Sequence, residues 1–134
     1  MDEQDTIRLN YHINSKGLSL FLGELEAEVM EILWSNGPMT VKRALYHVSK
    51  SRKAAYTTVM TVLNRMAEKN IVKRTKEGHS YLYEPVLAKN MFLNYAVKQV
   101  MAPLMSDYPE VVNRTIPKLR KKMKPKGKIP KKQA

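Results

Sequence analysis

Apolar residues first recur at helical spacing after residue 21. Leu25, Val29, Ile32 and Leu33 fall on one face, with Glu24, Glu28 and Glu31 on the other, and Gly37-Pro38 supplies a stop. That predicts a first helix beginning near Leu22. A shorter second helix is expected over about 41–48, with Val41, Ala44, Leu45 and Val48 inward and Thr40 as N-cap. After a polar joint, Ser49 to Lys53, a third helix is expected over about 55–69. Its core stripe is Val59, Val62, Leu63 and Met66, and Asn70 stands where a left-handed C-cap residue is wanted. Two alternating runs follow, 71–76 and 80–84, joined by Glu77-Gly78-His79, which reads as a β-hairpin.

Past Pro85 the pattern changes. A fourth helix over about 87–101 is apolar on more than one side, so one small domain does not cover it and it needs a second surface; the alternative is that it packs intramolecularly on the first helix and leaves a monomer. Pro103 is expected to end it. Pro109 and Glu110 resemble another helix start, with Val111, Val112, Ile116 and Leu119 on its apolar side, and Pro117 is expected to break or kink that helix. Residues 1–20 show no helical period and are expected to form an extended or partly disordered arm.

Charge sharpens this division. The 134 residues carry 24 Lys and Arg against 12 acids, a net charge of +12. Nine of those cations lie in 118–134 without a single acid, so the rest holds only 15 basic against 12 acidic groups. Residues 118–134 are therefore expected to be a basic, disordered tail. The domain plan is an arm at 1–20, a folded domain at 21–86, a helical segment at 87–117 and the tail.

Composition removes several classes. There is no cysteine, hence no disulfide framework and no thiolate chemistry, and this fits a cytoplasmic location. The longest apolar runs are a few residues, so no membrane insertion is expected. His12, His47 and His79 are scattered, with no carboxylate pair or Ser/His spacing beside them, so neither a metal, a cofactor nor an enzyme is expected. His79, at the hairpin tip, is either a phosphate or minor-groove contact or a plain exposed turn residue.

Three helices followed by a basic hairpin is the order of a winged helix-turn-helix: mainly α, with a small β-hairpin wing. In that arrangement the third helix packs one face on the core and offers the other to the major groove of double-stranded DNA. Thr57, Met60, Thr61 and Asn64 suit base contacts: Thr hydroxyls donate or accept, Thr and Met methyls suit thymine, and Asn can pair with adenine. Tyr56, Thr58 and Arg65 beside them, Lys42 and Arg43 on the second helix, and Lys73, Arg74 and Lys76 on the wing suit phosphates. The same spacing also fits a merely solvated helix face.

The stretch from Leu22 to Trp34, Leu-Gly-Glu-Leu-Glu-Ala-Glu-Val-Met-Glu-Ile-Leu-Trp, resembles the opening helix of the BlaI/MecI/CopY penicillinase-repressor family. Ala55 to Met66 followed by Glu68-Lys69-Asn70, then Gly78 and Tyr81-Leu82-Tyr83-Glu84-Pro85, resemble its recognition helix and wing. The resemblance covers roughly residues 22–101 and continues weakly to about 120. It implies a homodimeric winged-helix transcriptional repressor on a palindromic operator, with the segment after the wing forming the dimer through Leu87, Met91, Phe92, Tyr95, Ala96 and Val100.

The departures bear on regulation. Family members usually end in an acidic helix, whereas this chain has Lys118 to Lys132. β-Lactam-responsive members are cleaved at an Asn-Phe bond; here Asn90-Met91 and Asn94-Tyr95 stand instead, so that site is not carried over. Copper-responsive members use cysteine pairs, which this sequence lacks. The inducer, and any sensor protein or protease, stay open. Two other readings also stay open: an architectural protein binding DNA non-specifically through its tail, and a winged-helix module that docks on a protein.

Overall fold

The computed structural model describes residues 17–123. Most of the expected arm (including His12) and the tail beyond Met123 lie outside the described residues. The element order is α1 (Gly17–Phe21), α2 (Glu24–Asn36), α3 (Val41–Val48), α4 (Tyr56–Glu68), β1 (Val72–Glu77), β2 (Ser80–Pro85), α5 (Lys89–Asp107) and α6 (Pro109–Lys122). Chain contacts divide the molecule into two units that part between Leu93 and Asn94, within α5.

In the first unit, α2, α3 and α4 close on a core of Val29, Met30, Leu33, Val41, Ala44, Val48, Val59, Leu63 and Met66. Burying each large aliphatic side chain contributes about 1.5–3 kcal/mol. Four expected core positions, Leu25, Ile32, Leu45 and Val62, are only half-buried, while Ala27 and Met30 are buried in their place on α2. The period placed the stripe correctly and blurred its edges, because a wide apolar stripe tolerates a turn of one residue.

Local chemistry sets the helix ends. Thr40 Oγ1 accepts the Arg43 N–H at 3.2 Å, capping α3 as expected. Replacing Thr40 with Ala should lower the unfolding free energy by about 1 kcal/mol in urea denaturation, and Ser should restore it. At the end of α4, Asn70 takes φ 61°. The Ile71 N–H reaches Met66 O at 2.9 Å and the Asn70 N–H reaches Ala67 O at 3.1 Å, the paired bonds of a Schellman cap. That cap turns the chain directly into β1.

The two strands pair antiparallel, with Arg74 opposite Tyr83 and Glu77 opposite Ser80, leaving Gly78-His79 as the turn. Only Gly78 has positive φ there (63°), the pattern of a type II′ turn. Met39 joins β2 as a third edge: its N–H bonds Tyr83 O at 3.0 Å and its carbonyl takes the Tyr83 N–H at 2.8 Å. The hairpin is thereby fastened to the start of α3.

Several expectations are corrected. Gly17–Phe21 is a helical turn with Ser19 buried, so the arm's last residues are folded; five residues are too few to show a period. Pro103 does not end its helix, since α5 continues to Asp107, and Pro117 does not break α6, which reaches Lys122 into the expected tail. An interior proline removes one backbone hydrogen bond, and each of these helices has enough flanking turns to absorb that loss. Pro109 does open α6, with Glu110 in its first turn and Arg120, Lys121 and Lys122 in its last.

Candidate nucleic-acid interface

Helix α4 has a buried side and an open one. Val59, Leu63 and Met66 are fully buried, and the residues expected to face DNA lie opposite: Thr57 and Thr61 exposed, Met60 and Asn64 half-buried. Thr61 Oγ1 donates to Thr57 O at 2.8 Å, which commits its proton and leaves the hydroxyl oxygen an acceptor toward solvent. Tyr56, Thr58 and Arg65 are exposed on the flanks of that face, as expected.

Beside α4 the hairpin turns one face inward. The register puts Arg74, Tyr83, Lys76 and Tyr81 on that face. Tyr83 is 2% exposed, and its hydroxyl donates to Asn64 Oδ1 at 2.7 Å. Arg74 Nη1 donates to the same oxygen at 3.0 Å, and its guanidinium sits 4.3 Å from the Tyr81 ring centroid. A cleft of about 520 Å³ opens between helix and wing, with Met60, Asn64, Arg74, Tyr81 and the tip residue His79 on its walls. His79 is exposed.

The cations are sorted. On α2, Glu26, Glu28 and Glu31 pair with Lys69 at 3.5 Å, Arg52 at 2.8 Å and Lys89 at 2.7 Å. Glu28 also takes a hydrogen bond from the Ser51 hydroxyl. Lys73 pairs across the hairpin with Glu84 at 3.2 Å. Among the described residues, Lys42, Arg43, Arg65, Arg74 and Lys76 make no ion pair, so their charge is free for an anionic partner. Arg43 and Lys50 lie 4.6 and 4.7 Å from the ring centroid of exposed Tyr46. Partial burial, then Lys50 and Arg43, hold the neighbouring His47 below its ordinary pKa.

The residues expected to form a dimer divide. Met91, Tyr95 and Val100 are exposed, whereas Phe92 and Ala96 are buried and Leu87 is half-buried. Phe92 packs on Trp34, ring centroids 5.6 Å apart, and the Trp34 indole N–H donates to Leu87 O at 3.0 Å. Phe92 is therefore engaged within its own chain. In the second unit, Val97, Leu104, Met105, Tyr108 and Val111 are also exposed.

Sequence reasoning missed the parts played by Tyr81 and Tyr83. The alternation of β2 showed that they share a face, and the register adds Arg74 to it, but nothing local showed that this face meets Asn64. No group of three or more His, Cys, Asp or Glu residues among the described residues could hold a metal. No helix among them is long and apolar enough to cross a membrane.

The chain is similar to several known proteins. Over 66 residues the chain is 47% identical to the transcriptional regulator BlaI of Mycobacterium tuberculosis, in strains CDC 1551 and H37Rv; the match covers 48% of each chain. The chain thus spans about half the length of the curated relatives it matches. Among solved structures, the DNA-binding domain of the repressor BlaI aligns at 25% identity and TM-score 0.47, covering 51% of this chain and 83% of that one. Monomeric Bacillus licheniformis BlaI with the blaP half-operator aligns at 25% identity and TM-score 0.45, covering 52% and 84%. The matched relatives are named as regulators rather than enzymes. The profile of the penicillinase repressor family matches residues 22–126, through the winged-helix domain and both helices after it, and the chain belongs to that family.

Proposed function

We propose that the chain is a sequence-specific DNA-binding transcriptional repressor, acting in the cytoplasm as a homodimer on a palindromic operator with α4 in the major groove. The observation that carries this reading is the open polar face of α4, together with five exposed cations on α3, α4 and the wing that make no ion pair among the described residues. Base contacts fall to Thr57, Met60 and Thr61. The Thr61 hydroxyl, with its proton held by Thr57 O, suits the amino group of adenine or cytosine. Lys42, Arg43, Tyr56, Thr58, Arg65, Lys73, Arg74 and Lys76 would grip phosphates. The exposed Met91, Tyr95 and Val100 support self-association, because apolar surface of this kind favours a second copy over water.

The test is selection of bound duplexes from a random library by the full chain. A palindrome with half-sites about one helical turn apart supports a dimeric repressor. Enrichment of no sequence, despite binding, would favour the architectural reading through the basic run at 118–134. Thr61→Ala should relax preference at one base pair of each half-site by about 1–3 kcal/mol. Unchanged preference in a repeated selection would remove Thr61 from the set of base contacts.

A further inference from the structure

The polar contacts of Asn64 do not match those of a base reader. Its Oδ1 accepts from both the Arg74 guanidinium (3.0 Å) and the Tyr83 hydroxyl (2.7 Å). A carbonyl oxygen offers two lone pairs, so this acceptor is saturated. Pairing with adenine requires the same oxygen to accept from the N6 amino group while Nδ2 donates to N7. Nor can the amide rotate to free it: guanidinium has only donors, and a reversed amide would set N–H against N–H.

Each partner of Asn64 is itself held. Tyr83 is buried and bonded through its backbone to Met39, at the start of α3. Arg74 stands opposite Tyr83 in the hairpin and lies against the Tyr81 ring. A chain of contacts therefore runs from Met39 through Tyr83 and Asn64 to Arg74, crossing from α3 to α4 to the wing.

From this geometry we infer that Asn64 is a positioning residue: it clamps the wing to the recognition helix and aims Arg74 at the DNA backbone, and it does not read adenine. Its remaining Nδ2 donors can meet an acceptor on any purine, on thymine or on phosphate, and so discriminate little between bases. The aiming of Arg74 rests on the DNA-binding reading; the clamp does not.

Two measurements on the full chain test it. The first is amide hydrogen exchange without DNA. Asn64→Ala should speed exchange of the hairpin amides about tenfold while those of α2 stay unchanged, since hydrogen bonds to charged groups contribute on that scale. Tyr83→Phe should do so more weakly. Asn64→Asp, which keeps an acceptor for both donors, should retain protection. Hairpin exchange unaltered in Asn64→Ala and Tyr83→Phe would overturn the clamp.

The second is a double-mutant cycle on the duplex that the wild-type chain enriches. Asn64→Ala and Arg74→Ala should each weaken binding about tenfold, and the double variant little more than Arg74→Ala alone. Asn64→Ala should select the same bases as wild type. Multiplied losses, or a changed base at one position, would overturn the positioning role and restore Asn64 as a reader. If the wild-type chain enriches no duplex, the DNA-binding reading fails together with the aiming of Arg74, and the exchange experiment alone decides the clamp.

Discussion

Raising monovalent salt from 50 to 200 mM should weaken operator binding about 10³-fold for each bound copy of the chain. Six cations on α3, α4 and the wing, Lys42, Arg43, Arg65, Lys73, Arg74 and Lys76, are exposed. Each phosphate neutralised releases condensed counterions, so log affinity falls against log salt with a slope of about −0.9 per contact. Six contacts give a slope near −5, and a dimer gripping both half-sites would double it. The Lys73–Glu84 pair weakens this only slightly, because an exposed ion pair contributes little and yields to a phosphate. Titrations of the selected duplex at several salt concentrations measure the slope. Arg65→Ala should make it shallower by about one, without altering base preference. A slope near zero would rule out the phosphate grip.

The largest effect on the fold itself is expected at Leu63. It is fully buried in the middle of the core face of α4, between Val59 and Met66, where α4 meets α2, α3 and β1. Leu63→Ala should cost about 2–5 kcal/mol, the lost transfer energy plus the cavity left behind. Small domains are stable by only about 5–15 kcal/mol, so the urea midpoint should fall steeply and binding should fail at temperatures the wild type tolerates. Thr57→Ala, one residue from the N-terminus of the same helix but exposed, should change stability by less than about 0.5 kcal/mol. Equal effects at the two positions would contradict the assignment of faces.

Much of the winged domain was legible in the sequence because its signals are local. The Thr40 cap, the left-handed Asn70, the Gly78 turn and the stripe of Val59, Leu63 and Met66 each depend on residues within a few positions of one another. The failures have other causes. Pro103 and Pro117 read as helix stops, and a helix with sufficient neighbouring turns carries them. The packing of Phe92 on Trp34 was open between two readings, a partner surface or the first helix, because periodicity shows that a helix is apolar all round without showing which neighbour covers each side. The ties of Asn64 to Arg74 and Tyr83, ten and nineteen residues away, were not legible either, because they exist only in the folded domain.

The junction of α2 with the start of α5 has an optical consequence. Trp34 is the chain's single tryptophan, and it sits against Phe92 with its indole bonded to the carbonyl of Leu87. Light absorbed at the red edge of the protein spectrum therefore reaches one ring in one place. Native emission reports whether the first turn of α5 is seated on the winged domain, without any label and without contribution from the recognition helix or the wing.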